Sequence, residues 1–240
     1  MKAIILAAGS GKRLNLNLPK SLVKINGETI LNHQVKILKK YVDEIIVVSG
    51  FKHELVEKQC KKLKVKVVYN PFFFTENIVS LCCAINYFND EILIINGDVL
   101  FSESIIKKLV KEEGNILVVE RWIGTQETDD QLFYHEYDEE AMKVELDNLG
   151  HFKRLSKKIG RWESFGEYTG IAKISSVKCL TETLKEIIKK GKVNNWYEYA
   201  FNLMINKGEK FICKLVEVND YWFEIDNDED LRVVKIWFKK

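Results

Sequence analysis

The amino-acid sequence predicts an α/β fold, in which a mostly parallel, mixed sheet is covered by helices on both faces. The first observation is the apolar run Lys2–Ala7, which lacks helical periodicity and is typical of a buried strand. The second is the regular alternation of such runs with amphipathic segments through the first half of the chain. The third is a hydrophobic content of 46% in 240 residues, which provides a large core and excludes a disordered chain.

The elements of the first half follow one another without a break. Apolar residues recur at helical spacing over Ile30–Lys40, and Ser102 stands where a helix N-cap is expected. The predicted strands are Lys2–Ala7, Glu44–Ser49, Val65–Tyr69, Glu91–Ile95 and Ile116–Glu120, and the predicted helices are Ile30–Lys40, Glu54–Leu63, Ile78–Phe88 and Ser102–Lys111. This order predicts a Rossmann-like sheet whose loops at the carboxyl ends of the strands hold a ligand.

The alternation changes after Arg121. A hairpin is predicted for Ala141–Asp147 and His151–Ser156, with its turn at residues 148–150, and a further strand for Tyr168–Ser175. These strands predict a small β-rich insertion on the sheet. The remaining predicted elements are the helices Ser176–Lys190 and Trp196–Lys207 and the strand Phe211–Val216. From Asp226 to the end, a short extended segment followed by a helix is predicted. Because no repeat or linker interrupts the pattern, we expect a single domain over residues 1–240.

Composition excludes several classes of function. The chain has 37 basic and 35 acidic side chains, so its net charge of +2 provides no long-range field for nucleic acid. The longest apolar stretches, such as Ala3–Ala8, are far shorter than the roughly 20 residues that a membrane-spanning helix needs. The five cysteines form an odd set without a C-x-x-C pair, which favours reduced thiols and a cytoplasmic location.

A glycine-rich turn follows the first predicted strand. Gly9 and Gly11 allow backbone N–H groups to approach an anion closely, and Lys12, Arg13 and Lys20 add up to three positive charges. The turn therefore predicts a polyphosphate site.

Two other kinds of glycine-rich loop bind phosphates in proteins. A Walker loop requires glycine where Leu6 stands and serine or threonine where Arg13 stands, so that loop is excluded. The dinucleotide fingerprint requires a third glycine where Leu14 stands, although Glu28 lies at a suitable distance for a ribose contact. A nicotinamide-dependent oxidoreductase therefore stays open as an alternative.

Several segments resemble a known superfamily. Leu6–Leu14 together with Pro19–Leu22 resembles the signature of the nucleotidyltransferases that join nucleoside triphosphates to phosphorylated sugars and alcohols. Further segments are similar to the cytidylyltransferases for phosphocholine, inositol 1-phosphate and small phosphonates: Asn70–Phe72, Asn77–Leu81, Gly97–Phe101, Met142–Val144, Gly166–Ala172 and Trp222–Asp226. The resemblance implies a fold of the nucleotide-diphospho-sugar transferase type, with a nucleotide-binding half at residues 1–120 and an acceptor-binding half at residues 121–240.

The resemblance also implies an activity and a set of site residues. The activity is Mg²⁺-dependent transfer of CMP from CTP to a small phosphorylated alcohol, with release of pyrophosphate. Asp98 and Asp226 would hold the metal ion, and Arg13, Lys20 and Lys157 would contact the reacting phosphates. The remaining implied contacts are Leu6, Ala7, Ala8, Gly9, Gly11, Lys12, Asn77 and Ser80 for the nucleotide, and Lys143, Glu167 and Trp222 for the acceptor.

The negative charge of the substrates of such a reaction can be compared with the positive charge that the site would supply. A nucleoside triphosphate of about −4 and a phosphorylated acceptor of about −1.5 to −2 bring about six negative charges together. Lys12, Arg13, Lys20 and one Mg²⁺ would nearly neutralise them. Two alternatives stay open, a sugar-1-phosphate nucleotidyltransferase that uses UTP, GTP or dTTP, and a non-catalytic nucleotide-sensing domain. The sequence predicts neither a nucleic-acid partner nor a membrane span, and it leaves formation of a homodimer open.

Overall fold

The computed structural model describes residues 1–14, 16–121 and 139–239, with Lys12 described by its backbone only. Nine of the described strands form one mixed sheet, and two further pairs of short strands form small ribbons. In chain order, the elements are β1 (Lys2–Ala7), β2 (Lys24–Ile25), β3 (Glu28–Thr29), α1 (Ile30–Leu38), β4 (Glu44–Ser49), α2 (His53–Leu63), β5 (Lys66–Tyr69), α3 (Asn77–Cys83), β6 (Ile92–Asn96), β7 (Val99–Phe101), α4 (Glu103–Leu109), β8 (Asn115–Arg121), β9 (Lys143–Leu146), β10 (Phe152–Ser156), β11 (Gly166–Ile174), α5 (Val177–Lys189), α6 (Glu198–Asn206), β12 (Phe211–Leu215), β13 (Trp222–Glu224) and α7 (Asp228–Trp237).

The centre of the sheet is parallel, in the order β6-β1-β4-β5. Side chains of β1 alternate between two buried clusters, with Ile4 on one face and Ile5 on the other, because successive residues of a strand point to opposite faces. Helices α3, α5 and α6 cover the first face, and α1, α2 and α4 cover the second. Since the strand order reverses at β1, a crevice is expected at its carboxyl end.

The second part of the sheet is antiparallel around β11. This strand pairs with β6 through its carboxyl-terminal half and with β9 through its first two residues, while β8 pairs along its other edge. Its pairing with β8 shifts register between Tyr168 and Ala172, and Gly170 lies in the left-handed region with φ +73°. A Cβ at Gly170 would lie 2.5 Å from Nδ2 of Asn96, so the glycine makes room for the Asn96 side chain.

The predicted fold class, a mostly parallel mixed sheet flanked by helices, is confirmed, and strands from both halves of the chain share the sheet. The predicted hairpin forms as β9 and β10 at one end of that sheet. Two details differ. The helix predicted at Ile78–Phe88 is α-helical only to Cys83 and continues as a 3₁₀ turn at Ile85–Tyr87. Strands β2, β3, β7 and β13 were not predicted, since each has two or three residues and too few positions to show alternation.

No helix among the described residues has the length and apolar character needed to cross a membrane. All five cysteines are free thiols, and burial raises the pKa of Cys60 and of Cys82 to about 12. Protonated thiols of this kind are typical of small core residues and not of nucleophiles.

Candidate active site

A cavity of about 610 Å³ opens at the carboxyl ends of β1, β4, β5 and β6. The turn after β1 lines its centre with Gly9, Gly11 and Arg13, and Lys20 and Asp98 lie against it. The cavity therefore occupies the crevice that the strand order predicts.

Gly11 determines how the turn and Lys20 fit together. Its φ of +58° lies in the left-handed region, which favours glycine. A Cβ there would lie 3.0 Å from Cγ of Lys20 and 3.3 Å from the carbonyl oxygen of Leu18. The absence of a side chain at Gly11 lets the stem of Lys20 lie across the turn.

A second close approach sets the position of Asp98. The amide of Gly97 donates to the carbonyl oxygen of Leu6 at 2.9 Å. A Cβ at Gly97 would lie 2.7 Å from that oxygen and 2.9 Å from Cα of Ala7, so glycine is required for the contact. The end of β6 is thereby held against the end of β1, and Asp98 follows directly at the rim of the cavity.

Asp226 is brought beside Asp98 by the ribbon of β7 and β13. Val99 pairs with Glu224 in antiparallel register, and the amide of Ile225 donates to the carbonyl oxygen of Asp98 at 3.0 Å. The amide of Asp226 in turn donates to the carboxylate of Asp230 at 2.8 Å, within the capping box of α7. Two carboxylates that are distant in sequence thus become neighbours.

Two basic side chains in the described part of the site, Arg13 and Lys20, are paired with these carboxylates. Nζ of Lys20 lies 3.0 Å from Oδ2 of Asp98 and hydrogen-bonds to Asp226, while Nη2 of Arg13 lies 2.7 Å from Oδ2 of Asp226. Burial by itself would lower the pKa of Lys20, but Asp98 and Asp226 outweigh it and raise that pKa above its ordinary value. Lys20 is therefore a permanent cation between the two acids.

Glu224 completes a cluster of three carboxylates. One oxygen from each of Asp98, Glu224 and Asp226 lies within 4.8 Å of the others. Burial, followed by the charges of Asp98 and Asp226, raises the pKa of Glu224 well above its usual range, and Glu167 adds to the shift. Three hard oxygen donors at this spacing fit a divalent cation such as Mg²⁺ or Mn²⁺. Sequence reasoning did not select Glu224, although its spacing from Asp226 is that of one face of a strand.

Sequence reasoning also missed an aromatic wall of the cavity, formed by Phe51, Phe73 and Phe74. Phe51 follows β4, and its amide donates to the carbonyl oxygen of Ala8 at 3.0 Å. The rings of Phe51 and Phe73 lie 6.3 Å apart, and those of Phe73 and Phe74 lie 6.2 Å apart. The available signal was the run of three phenylalanines directly after a predicted strand end.

The cavity brings together seven of the residues selected from the sequence: Leu6, Ala7, Gly9, Gly11, Arg13, Lys20 and Asp98. Asp226 joins them through its ion pairs with Lys20 and Arg13. Ala8 is buried beneath the wall, and the side chain of Lys12 lies outside the described part of the chain.

Asn77 and Ser80 do not line this cavity in the described structure. Oδ1 of Asn77 accepts from the amide of Tyr197 at 2.8 Å and thus ties α3 to the start of α6. Oγ of Ser80 accepts from Nδ2 of Asn70 at 3.0 Å, and the Asn70 side chain is completely buried. Both side chains therefore fasten the segments that border the site.

Lys143 and Trp222 are engaged inside the fold. Lys143 is 1% exposed, and its ammonium group donates to the carbonyl oxygens of Glu139 at 2.6 Å and Lys157 at 2.8 Å. Trp222 is 4% exposed and donates from Nε1 to the carbonyl oxygen of Thr169 at 2.9 Å. Both side chains are thus buried and hydrogen-bonded to the backbone, and the acceptor contacts expected of them stay predictions.

Lys157 and Glu167 belong to the second half of the chain and do not line the cavity in the described structure. Nζ of Lys157 lies 4.7 Å from the ring centre of Trp196 and 3.7 Å from Oε2 of Glu140. Glu167 is buried on β11, and its charge acts on Glu224. Its carboxylate is therefore electrostatically linked to the acid cluster.

Comparison with known proteins places this site in context. Residues 3–182 match the family model of the MobA-like NTP transferase domain. The CTP:phosphoglutamine cytidylyltransferase of Campylobacter jejuni is 26% identical over 97% of this chain and 98% of that protein. The bifunctional protein GlmU of Methanococcus maripaludis is 34% identical over 47% of this chain but only 28% of its own length. The inositol-1-phosphate CTP transferase structure from T. maritima has the same fold, with a TM-score of 0.79 at 22% identity, covering 99% of this chain and 95% of that one.

Proposed function

Since this chain belongs to the MobA-like NTP transferase family and is a nucleotidyltransferase, we propose that it transfers CMP from CTP to a small phosphorylated alcohol and releases pyrophosphate. Membership of this family confirms that the sequence motifs are those of a nucleotidyltransferase. It decides against the alternative of a nicotinamide-dependent oxidoreductase. The observation that carries the proposal is Lys20, which lies between Asp98 and Asp226 beside the glycine turn. The name of the relative from Campylobacter jejuni, which matches over nearly its whole length, supports CTP as the donor.

Charge neutralisation is the main chemical task of such a site. A triphosphate and an acceptor phosphate together bring about six negative charges into the cavity. Arg13 and Lys20 supply two positive charges within reach of the glycine turn. A divalent cation held by Asp98, Glu224 and Asp226 would supply two more and would polarise phosphate oxygens.

The side chains of the first half have separate tasks in this proposal. Lys20 is half-buried and fixed near the acids, which suits the α-phosphate, where the bond changes take place. The side chain of Arg13 is 60% exposed and can reach the outer phosphates that leave as pyrophosphate. Backbone N–H groups of the turn at Gly9 and Gly11 would receive the remaining phosphate oxygens.

The reaction needs no nucleophile from the protein. An ionised oxygen of the acceptor phosphate attacks the α-phosphorus, a new P–O bond forms, and the bond to the β-phosphate breaks with the electron pair leaving on pyrophosphate. Catalysis then consists of positioning and of stabilising the charge that shifts to the leaving group.

In this proposal, Lys157 and Glu167 bind the acceptor. Lys157 would contact the acceptor phosphate, and its backbone is held by the buried ammonium group of Lys143. Glu167 would accept from an acceptor or ribose hydroxyl. Trp222 would stabilise this part of the site through its hydrogen bond to the backbone of Thr169 on β11.

A second candidate keeps the chemistry and changes the substrates. The likeness of part of this chain to the bifunctional protein GlmU keeps open the alternative of a sugar-1-phosphate nucleotidyltransferase that uses another nucleoside triphosphate. The chain spans only 28% of that relative, so this likeness concerns the shared segment alone.

A grid of substrates, read by pyrophosphate release, tests both candidates. CTP, UTP, GTP and dTTP are each paired with inositol 1-phosphate, phosphocholine, phosphoglutamine, a small phosphonate and a sugar 1-phosphate, with Mg²⁺ and with EDTA. We expect release with CTP and one of the non-sugar acceptors, and none with EDTA. Release with UTP, GTP or dTTP and the sugar phosphate would favour the second candidate. Tight nucleotide binding without release from any pair would refute both and match a nucleotide-sensing domain.

A further inference from the structure

Three consecutive phenylalanines follow β5, and two of them are strongly exposed. Phe74 is 77% exposed and lines the cavity, whereas Phe72 is 55% exposed and lies outside the lining of the cavity in the described structure. Exposure of a large aromatic ring on the wall of a polar cavity leaves apolar area in water that a ligand could bury.

The segment that presents Phe74 is well anchored. Oδ1 of the buried Asn70 accepts from the amide of Phe72 at 2.8 Å, and the amide and hydroxyl of Thr75 donate to the carbonyl oxygen of Phe72 at 2.9 and 2.7 Å. Ser80 on α3 holds Asn70 through its side-chain amide. The exposure of Phe74 is therefore imposed by a turn with fixed hydrogen bonds.

Phe73 forms the base of the wall. A Cβ at Gly50 would lie 2.3 Å from Cβ of Phe73 and 2.8 Å from the carbonyl oxygen of Ala8, so the glycine lets Phe73 pack against the end of β4. Phe74 meets Phe73 and Phe72 edge to face, at interplanar angles of 70° and 71°. All three rings of the wall line the cavity, and Phe74 is the most exposed of them.

The position of the wall relative to the acids identifies what it could bind. Phe51 follows β4 and Phe74 follows β5, whereas Asp98 follows β6 on the other side of β1. The glycine turn lies between them at the end of β1. A ligand whose phosphates contact the turn and the acids would extend its other end towards the aromatic side.

We propose that Phe74 stacks on the base of the nucleoside triphosphate. This inference rests on the proposed function. The nucleobase is the part of the substrates with a flat aromatic face, and stacking of a base on an aromatic side chain contributes substantially whatever the base. Phe74 therefore adds affinity for the base, and selection between bases depends on polar groups elsewhere in the site.

Equilibrium binding of ligands with and without a base tests this role. The dissociation constants of CTP, UTP, GTP, dTTP and inorganic tripolyphosphate are measured for the wild type and for Phe74→Ala, Phe74→Leu and Phe74→Tyr. Phe72→Ala is the matched control, since it removes a neighbouring exposed ring. We expect Phe74→Ala to weaken the tightest nucleotide about 5- to 100-fold and tripolyphosphate less than about 2-fold. Phe74→Leu should be intermediate, and Phe74→Tyr and Phe72→Ala close to the wild type.

Several outcomes would overturn the proposal. If Phe74→Ala weakened the binding of nucleotide and of tripolyphosphate equally, Phe74 would be needed to keep the glycine turn in its phosphate-binding conformation, and not to stack on the base. If Phe72→Ala weakened nucleotide binding as much as Phe74→Ala, the effect would come from the loop as a whole. If Phe74→Ala changed only the KM of the acceptor, Phe74 would contact the acceptor and not the base. Wild-type protein that binds every nucleotide no more tightly than tripolyphosphate would also contradict stacking. Since binding is measured without turnover, failure of the transfer reaction is seen separately in pyrophosphate release.

Discussion

Nζ of Lys20 lies 3.0 Å from Oδ2 of Asp98, and the same ammonium group hydrogen-bonds to Asp226. This cation therefore occupies the space beside the carboxylates that a divalent ion would share. Lys20 offsets part of the negative charge of these acids. In the proposed reaction, a bound divalent cation would take over that task and leave the Lys20 side chain free to interact with the nucleotide.

Replacement of Lys20 by methionine should separate these two tasks. We expect Lys20→Met to bind Mn²⁺ or Mg²⁺ more tightly than the wild type, because no ammonium group competes for Asp98 and Asp226. The kcat should nevertheless fall on the order of 10²- to 10³-fold, because a charge that stabilises the transition state is lost. Calorimetric titration of the metal ion and pyrophosphate release measure the two effects. Lys24→Met, which changes an exposed lysine, is the control. Weaker metal binding by Lys20→Met would contradict competition.

The carboxylates should be needed for metal binding and not for the fold. A double variant, Asp98→Asn with Asp226→Asn, keeps the size of both side chains but removes two negative charges. We expect pyrophosphate release to fall at least about 10²-fold and the metal concentration for half-maximal activity to rise. Asp228→Asn, at an exposed position in the first turn of α7, should leave both quantities near those of the wild type. Near-normal release from the double variant would refute the assignment of the metal ligands.

The order of strands and helices could be predicted because buried parallel strands produce long apolar runs that glycine and charged residues interrupt. Asp98 could be selected for a similar reason, since it follows such a run directly. The role of Glu224 could not be predicted, because it depends on the ribbon of β7 and β13. Those strands are three residues long, and only their pairing turns Glu224 towards Asp98 and Asp226.

Asn77 and Ser80 show another limit of sequence reasoning. Both are polar residues at the start of a helix beside the site, and sequence alone does not distinguish a side chain that faces a ligand from one that fastens a loop. In the structure Ser80 holds Asn70, and Asn70 holds the turn that carries Phe74. In the described structure Asn77 and Ser80 thus fasten segments beside the cavity, and their contact with a nucleotide stays a prediction.

Gly97 should tolerate no side chain. An alanine there would place Cβ 2.7 Å from the carbonyl oxygen of Leu6 and 2.9 Å from Cα of Ala7, and backbone atoms of a central strand cannot move away cheaply. We expect Gly97→Ala to lower the free energy of unfolding by about 1 to 3 kcal/mol and to lower kcat through displacement of Asp98. Urea unfolding and pyrophosphate release measure these changes. Gly160→Ala is the matched control, because its Cβ would meet nothing closer than 3.9 Å. Unchanged stability in Gly97→Ala would contradict the close contact.

Glu198 stands at the start of α6 and is 4% exposed, and its Oε2 has no hydrogen-bond partner among the described residues. Burial raises the pKa of this carboxyl group to about 7, and Glu76 adds to the shift, while Lys157 and a hydrogen bond from Tyr197 act against it. A raised pKa means that the folded protein binds the proton more tightly than the unfolded chain does. The contribution of Glu198 to stability is therefore most favourable below the unfolded pKa of about 4.5 and is lost as the pH rises to about 7.

Glu198→Gln removes this ionisation while keeping the shape of the side chain. We expect the variant to be more stable than the wild type at pH 8, by up to about 3 kcal/mol, because the wild type must bury a charged carboxylate there. The difference should shrink steadily below pH 7 and disappear below pH 4.5, as the carboxyl group becomes protonated in both states. Urea unfolding at several pH values measures it. Glu186→Gln is the opposite control: Lys190 and Lys207 lower the pKa of that exposed carboxylate, so its replacement should not stabilise the protein at pH 8. A stability difference for Glu198→Gln that does not change between pH 4.5 and pH 8 would show that Glu198 has the same pKa in the folded and unfolded states, and would contradict the raised pKa.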